Sequence, residues 1–575
     1  MKLPEEVVYV YVAGEGRVKR RMKGGMGTDA PLQSSSAGDT TVHVKGMNGL
    51  ATRTMVFLGF IFAGLALVIA VVAIIVAASS GGRSGKSSIE STGGDVSCGD
   101  GPRPRNVIMF ISDGMGPSYA TLARDAKQYL ADQGRGTAER LALDAYQSGL
   151  SKTRSLNSLV TDSAAGATAL ATGFKTYNGW ISDIANRDVV FSNSSGYKGY
   201  LEEGHQEDLR QIKTVLEGAE EKNMWTGLVT TARMTHATPA AFSSHTENRD
   251  NEDIIAEQQL DHGIEVLLGG GRRNYIPQDM DGSRRKDDRD LIAYAKDKGY
   301  RYVETADALS DVSRVPVLGL FNNSHISYAI DRVGMPGEQP PTYPTEEPTL
   351  AQMTAKAIEL LSPSPNGFFL MVEAARIDHA GHGNDAATAM AEVLEYDDAF
   401  KLAVEFAERD GRTLIVGTSD HDTGGLSIGC CSNYQMFSEP MLAMRKSIWQ
   451  MVKEAKDFGV VGALREALLG GGVTREVVNS ENVTEAIGVW EMRNIIDVDR
   501  YTKEEREYDD SKVARVISSY SLVGFTTYGH SGGDVNVYSR GPGQEWFTGV
   551  LENSEVGQRI IQLLDVDAGI NATVF

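Results

Sequence analysis

The stretch 106–116, NVIMFISDGMG, decides the class of fold. Residues 107–111 are all apolar, and the run stops shortly before Asp113. Three later stretches have the same form: WTGLVTTARMTHATPAAF at 225–242, GFFLMVEAARIDHAGH at 367–382 and RTLIVGTSDHDTGG at 412–425. Because longer helical patterns separate such runs, the sequence predicts an α/β fold with a large, mainly parallel central sheet flanked by helices.

All four runs lead into side chains that can bind metal ions. In chain order these are Asp113, His236 and Thr238, then Glu373, Asp378 and His382, and finally Asp420 and His421. In an open α/β sheet, sites form beyond the carboxyl ends of the strands. Asp with His suits zinc, and carboxylate with hydroxyl suits magnesium. One polar strand end is ordinary, but four together predict a metal site at one edge of the sheet.

The spacing within these motifs adds a geometric expectation. Asp378 and His382 are four residues apart, so they share one face if DHAGH forms a helical turn. Asp420 and His421 are adjacent, so both reach one ion only from a turn. A later motif, YGHSGGD, offers His530 in a glycine-rich loop.

The small-residue stretch SLVTDSAAGATALATG at 158–173 begins with two polar side chains, Asp162 and Ser163. They are typical helix N-cap residues, and Ser163 is also a candidate nucleophile. The two interpretations are compatible, because a helix that starts here presents its backbone N–H groups to a bound anion.

The bulk composition bounds the domain organisation and the partners. The chain has 575 residues and a formal net charge of −21, which argues against binding to nucleic acid. Residues 55–78 carry no charge and, as a helix of about 36 Å, can cross a bilayer core of about 30 Å. We predict a cytosolic tail at 1–54, a transmembrane helix at 55–78 in contact with lipid, a stalk at 79–103 and a luminal domain at 104–575. Within that domain, 422–529 reads as a helical insertion.

Four glycosylation sequons lie after the candidate span, at Asn193, Asn322, Asn482 and Asn571. Their position on one side favours a luminal or extracellular body. The three cysteines, Cys98, Cys430 and Cys431, are too few for a disulfide scaffold. A vicinal disulfide, a bridge to Cys98 and reduced thiols all remain open.

Seven motifs, in order, resemble the alkaline phosphatase family. They are NVIMFISDGMG, VTDSAAGATALATG, THATPAAF, HTENR, VEAARIDHAGH, TSDHDTGG and YGHSGG, and they span residues 106 to about 533. The resemblance implies broad phosphomonoester hydrolysis through a phosphoserine intermediate, with two Zn²⁺ and one Mg²⁺ per subunit. It also implies a homodimer. The single N-terminal span resembles the fungal vacuolar type, so a vacuole or lysosome-like membrane is favoured and the plasma membrane remains open.

The resemblance also implies a role for each site residue. Ser163 is the expected nucleophile, and Arg249, in HTENR, binds the phosphate. The implied metal sets are Asp378, His382 and His530 for the first zinc, Asp113, Asp420 and His421 for the second, and Asp113, Thr238 and Glu373 for magnesium. His236 and His379 are expected near the metals without being zinc ligands.

Two rival functions can be weighed from the sequence. Phosphodiesterases and sulfatases are expected to share such a fold. Arg249, Thr238 and Glu373 are all present and disfavour a phosphodiesterase, and the sequence shows no sulfatase modification motif. A non-catalytic, membrane-tethered receptor is expected to have lost a ligand or the nucleophile, and none is missing here.

Overall fold

The computed structural model describes residues 103–132, 140–185, 209–335, 346–430, 432, 434–496, 500 and 502–568. The candidate transmembrane helix at 55–78, most of the stalk, Cys98 and Cys431 lie outside these ranges, as do the sequons at Asn193 and Asn571. None of the helices within them combines the length and apolar character that crossing a bilayer requires.

A ten-stranded sheet forms the centre of the fold, in the order β16-β2-β15-β10-β1-β9-β5-β6-β8-β7. Seven neighbouring strands, from β10 to β7, run parallel, and β15 runs antiparallel to both β10 and β2. The bounds are β1 Asn106–Ile111, β2 Gln147–Lys152, β5 Trp225–Arg233, β6 Val266–Gly270, β7 Arg301–Val303, β8 Val317–Leu320, β9 Phe368–Glu373, β10 Thr413–Thr418, β15 Val535–Arg540 and β16 Gly549–Glu552. The prediction of a large, mainly parallel sheet is confirmed.

Helices cover the sheet and contain most of the described residues between 428 and 523. They are α1 Pro117–Asp132, α2 Ser163–Thr172, α3 Val215–Glu221, α4 Ala237–Ser243, α5 Glu252–His262, α6 Leu291–Asp297, α7 Ala306–Ser310, α8 Ala329–Arg332, α9 Leu350–Leu361, α10 Arg376–His382, α11 Ala386–Asp410, α12 Glu439–Leu442, α13 Ile448–Phe458, α14 Ala463–Gly470, α15 Arg475–Val478, α16 Glu481–Glu491, α17 Lys503–Ser519 and α18 Asn553–Leu564. Short 3₁₀ helices occur at Ala142–Ala145, Arg272–Asn274 and Gln544–Trp546, and a π-helix at Met492–Ile496.

The central strand β1 shows why the sheet is buried on both faces. Side chains alternate across a strand, and Ile108 and Phe110 belong to one hydrophobic core while Val107, Met109 and Ile111 belong to the other. All five are fully buried. Burial on both faces accounts for the continuous apolar run that the sequence shows.

The described part of the segment 422–529 is mainly helical and also contains short strands. β11 (Asp422–Thr423) pairs with β14 (His530–Ser531), and β12 (Leu426–Ile428) pairs with β13 (Val523–Phe525). These pairings join residues about a hundred positions apart, so no local pattern signals them. A further hairpin joins β3 (Asp183–Ala185) to β4 (Leu209–Gln211).

Candidate active site

The four strands that carry the predicted site lie side by side, in the order β10-β1-β9-β5. They are parallel and in close register: Ile111 lies opposite both Thr418 and Glu373, and Glu373 lies opposite Thr230. Their carboxyl ends therefore meet at one edge of the sheet. Loops and helices that begin at this edge carry the remaining site residues.

The first group contains Asp378, His382 and His530. His382 Nε2 lies 3.1 Å from His530 Nε2, and Asp378 Oδ1 lies 3.4 and 3.6 Å from these two nitrogens. Two ligands of a tetrahedral zinc ion lie about 3.3–3.6 Å apart, given metal–ligand distances of about 2.0–2.2 Å. This triangle has the dimensions of one face of a zinc site. Asp378 and His382 are held on one side of α10, as their spacing predicts.

The second group contains Asp113, Asp420 and His421, all fully buried. His421 Nε2 lies 3.5 Å from Asp113 Oδ1 and 3.2 Å from Asp420 Oδ2. Ser163 Oγ lies 3.1 Å from the same nitrogen. The hydroxyl of Ser163 therefore stands at a ligand-to-ligand distance from the second group.

The third group shares Asp113 with the second. Ligand atoms of Asp113, Glu373 and His236 come within 4.8 Å of one another. Thr238 is fully buried in the first turn of α4. His236, expected only near the metals, is thus placed where it can itself bind an ion.

Three of the site histidines present Nε2 to the ligand groups because Nδ1 is engaged elsewhere. His382 Nδ1 donates to the Tyr528 carbonyl at 2.5 Å, and His530 Nδ1 donates to the Thr161 carbonyl at 2.8 Å. His421 Nδ1 lies 3.2 Å from Thr423 Oγ1, whose hydroxyl donates to Asp378. Such hydrogen bonds fix the tautomer that a metal requires. His530 lies in the two-residue strand β14 rather than in a loop.

The clustered, buried carboxyl groups of the site favour the binding of cations. Burial, with the charges of Asp420, Asp378 and Glu373, raises the pKa of Asp113 well above its usual value. Burial and nearby carboxylates raise the pKa of Glu373 to about 8 and that of Asp420 to about 7. Burial also acts on Asp378, but His382, His530 and His421 outweigh it and lower its pKa.

Several buried ligand atoms in this cluster also lack hydrogen-bond partners. Within the described ranges these are both carboxylate oxygens of Asp113, Oε1 of Glu373, Oδ2 of Asp420, Oγ1 of Thr238 and Nδ1 of His236. Unpaired polar atoms this deeply buried are costly unless something binds them. Carboxylate, hydroxyl and imidazole donors together fit divalent metal ions.

Helix α2 positions Ser163 at its first residue. Asp162 is the N-cap: its Oδ1 accepts a hydrogen bond from Ala165 N at 3.0 Å. The same carboxylate, through Oδ2, accepts from Gly179 N at 2.9 Å and contacts Arg249 Nη1 at 3.1 Å. A Cβ on Gly166 would lie 3.1 Å from the Asp420 carbonyl oxygen, so the small residue lets α2 approach the metal loop.

Gly114, the third residue after β1, allows this loop to approach the backbone of Asp378 closely. Its φ is +76°, and a Cβ there would lie 2.7 Å from Asp378 Cα. Only glycine combines that backbone conformation with that contact. The first and second ligand groups are thereby brought together.

His325 is a residue of this region that the motifs did not reveal. Its ring centroid lies 4.3 Å from that of His379 and 5.5 Å from that of His236. Burial, followed by nearby positive charges, lowers the pKa of all three well below the usual value, so they are neutral. His325 follows β8, and the rule that selected the other strand ends would also have selected it.

The structure brings together every residue predicted for the catalytic and metal sites. Arg249 lies at the same edge, and its Nη2 is 3.4 Å from His236 Nε2. The individual roles of these residues stay predictions. Of the described sequons, Asn482 is exposed on α16, whereas Asn322 is half-buried and donates its side-chain amide to Glu347.

Comparisons with known proteins agree with this geometry. A model of the family described as alkaline phosphatase matches residues 104–566. Alkaline phosphatase 3 of Bacillus subtilis is 36% identical over 477 residues, which cover 81% of this chain and 90% of the relative. An alkaline phosphatase of Schizosaccharomyces pombe is 34% identical and covers 80% of this chain and 81% of its own. The crystal structure of a cold-active alkaline phosphatase from Shewanella sp. superposes with a TM-score of 0.61 at 31% identity, and covers 80% of this chain and 99% of that one.

Proposed function

Because the chain belongs to the alkaline phosphatase family, and hydrolyses phosphate monoesters with the help of divalent metal ions, we propose that Ser163 is its phosphorylated nucleophile. We propose in addition that two Zn²⁺ and one Mg²⁺ occupy the three ligand groups. The observation that carries the proposal is the set of ligand-to-ligand distances, 3.1–3.6 Å, around His382 and His421.

The donor sets support this assignment of ions. Asp378, His382 and His530 would hold the first zinc, and Asp113, Asp420 and His421 would hold the second. The oxygen-rich third group, with Glu373, Thr238 and the shared Asp113, suits magnesium, and His236 supplies a further donor. When bound, such ions lower the pKa of a coordinated oxygen and stabilise charge on the transferring phosphoryl group.

The chain's own residues bind the phosphate and supply the nucleophile. Arg249 offers a planar fork to two phosphate oxygens, held in place by Asp162. The N-terminus of α2 presents backbone N–H groups to the same anion. Ser163 Oγ forms a bond to phosphorus as the bond to the alcohol oxygen breaks, and the alcohol leaves with a proton. Water then cleaves the phosphoserine, which releases inorganic phosphate and restores the Ser163 hydroxyl.

A labelling experiment tests the nucleophile. The metal-loaded protein is mixed with a ³²P-labelled phosphomonoester, quenched in acid and digested, and label is expected on the peptide that contains Ser163. Ser155→Ala, which changes another buried serine nearby, is the matched control and should label like the wild type. Label on any other residue, with Ser163 unmodified, contradicts the assignment.

Metal analysis tests the stoichiometry. Two zinc and one magnesium per chain are expected after dialysis, and His382→Ala should lose about one zinc. His262→Ala, a histidine paired with Glu220 away from the site, should lose none. A wild-type content of one metal per chain contradicts the three-ion proposal. A parallel assay with a phosphodiester and a sulfate ester should give far lower rates than a monoester, and equal rates would favour the sister activities.

The placement of the protein rests on the sequence alone. We propose a single-pass glycoprotein whose residues 55–78 anchor it by the N-terminus, with the catalytic domain in the lumen of a vacuole-like compartment. We also propose a homodimer. Protease protection of the body in sealed vesicles supports this topology, and light scattering after detergent extraction tests the dimer. If protease added on the cytosolic side degrades the catalytic domain, the orientation is the opposite of the one proposed.

A further inference from the structure

A cavity of about 490 Å³ opens beside the metal site. Its lining includes His379 and His382 on α10, Trp449 and Lys456 on α13, and residues of α17. The side chain of His382 is 38% exposed, so this ligand residue stands at the boundary between the metal site and the cavity. The cavity therefore adjoins the first ligand group through His382.

The start of α13 is fixed to the catalytic domain by two carboxylates, one half-buried and one buried. Asp331 accepts hydrogen bonds from both the backbone N–H and the hydroxyl of Ser447, at 2.8 and 2.7 Å. Asp385, three residues after His382, accepts from Ile448 N at 2.9 Å. The next residue along the helix is Trp449. The position of Trp449 is thus fixed in part by Asp385, in the loop that follows α10, the helix of Asp378 and His382.

Trp449 is unusual in leaving 54% of its surface exposed while lining the cavity. An indole ring offers a flat apolar face for stacking. The charge across the cavity is already matched, because Lys456 Nζ lies 2.7 Å from Asp510 Oδ2. The cavity is therefore better suited to a neutral, flat group than to a second anion. Such a group would stack on the ring face opposite the one that Lys453 Nζ approaches, at 5.4 Å from the ring centre.

We propose that this cavity binds the alcohol portion of the substrate, and that Trp449 selects phosphate monoesters whose alcohol carries an aromatic ring. The inference rests on the proposed function, since it assumes that the phosphate binds at Ser163 and Arg249. A ring next to the ester oxygen then enters the cavity past His382 and stacks on the indole. An aliphatic alcohol of the same acidity reaches the cavity but has no face to stack.

The test compares benzyl phosphate with ethyl phosphate, whose alcohols have similar acidity, so that the chemical step is matched. In the metal-loaded full chain, Trp449→Ala is expected to lower the ratio of kcat/KM values, benzyl over ethyl, about tenfold. That change equals about 1.4 kcal/mol and lies within the range measured for stacking of flat rings on aromatic side chains. The loss should appear mainly in KM, and Trp449→Phe should recover most of the ratio.

Phe458→Ala is the matched control. Phe458 lies at the other end of α13, is 73% exposed and lines a different cavity, so its removal should leave the ratio unchanged. A second variant, Ser511→Trp, narrows the cavity from α17 and should raise KM for benzyl phosphate more than for ethyl phosphate. This variant also decides the matter if Trp449→Ala does not fold.

The outcomes separate the two proposals. A wild-type protein that hydrolyses neither ester refutes the phosphomonoesterase itself. Hydrolysis of both, with the benzyl-to-ethyl ratio unchanged in the folded Trp449 and Ser511 variants, overturns the subsite and leaves the proposed function standing. A ratio that falls equally in Trp449→Ala and Trp449→Phe refutes ring stacking as its cause.

Discussion

Replacing Asp162 by alanine tests whether the cap of α2 and the phosphate-binding arginine form one unit. The carboxylate makes three contacts: to Ala165 N, to Gly179 N and to Arg249 Nη1. The first fixes the start of the helix that carries Ser163. The other two hold the loop of Gly179 and the guanidinium of Arg249 next to that helix start. The substitution removes all three at once.

The size of the effect follows from these contacts. Loss of an N-cap side chain costs about 1 kcal/mol. The Gly179 N–H, left without its acceptor, adds about 1 kcal/mol. The Asp162 and Arg249 side chains are 17% and 23% exposed, so breaking their ion pair adds about 1–2 kcal/mol rather than the 3–5 of a fully buried pair. Asp162→Ala should therefore lower the free energy of unfolding by about 3–4 kcal/mol.

The control is Asp290→Ala. Asp290 caps α6 by accepting from Ala293 N at 2.9 Å, and it is exposed, so only the cap contribution of about 1 kcal/mol should be lost. Asp162→Asn should fall between the two, because one amide oxygen replaces only one of the two carboxylate oxygens. Urea unfolding of the metal-loaded proteins, followed by circular dichroism, gives the differences at equal slope. Equal losses for the alanine variants at 162 and 290 would refute the coupling of cap and arginine.

Three further predictions concern the nucleophile, two buried carboxylates of the site and one glycosylation sequon. Ser163→Ala should lower kcat by about four orders of magnitude with unchanged metal content, and more than a few per cent of residual activity in folded, loaded protein contradicts its role. In metal-free protein, the raised pKa values of Glu373, about 8, and Asp420, about 7, mean that the folded state keeps protons that the unfolded state releases. Its stability should fall as the pH rises from about 6.5 to 9, and a melting temperature that rises over this range after chelation is the opposite result. Finally, Asn482→Gln should remove one glycan from protein made in a secretory host, seen as a smaller shift on glycosidase treatment, and an identical shift shows that this sequon is unused.

The order of the strands explains how much of the site could be predicted from the sequence. A short apolar run predicts each of β1, β5, β9 and β10, and ligand-type residues lie at the end of each strand or directly after it. Because these four strands are parallel, their carboxyl ends lie at the same edge of the sheet. This can be expected without knowing the register between the strands. The matching motifs of the alkaline phosphatase family then supply the expected roles.

Other features of the site depend on contacts that sequence separation hides. The third ligand group gains His236 only because α4 begins directly against Asp113 and Glu373. His325 comes near through β8, at the far side of the sheet order. Trp449 faces a cavity because Asp385 and Asp331 hold the start of α13. In each case a tertiary contact decides the placement. The position of His236 and His325 after a strand marks them as candidates, but the local pattern does not show which groups they meet.

The segment between His421 and His530 shows how specificity can change while the chemistry is kept. It leaves the metal site at β11 and returns at β14, and these two strands pair, with Thr423 opposite His530. The rings of His421 and His530 stack with centroids 3.6 Å apart. Because both ends of the segment are joined at the ligands, the helices between them can vary in length at a low entropic cost. A helix in this segment can thus bring Trp449 to the alcohol side of the substrate without moving a single metal ligand.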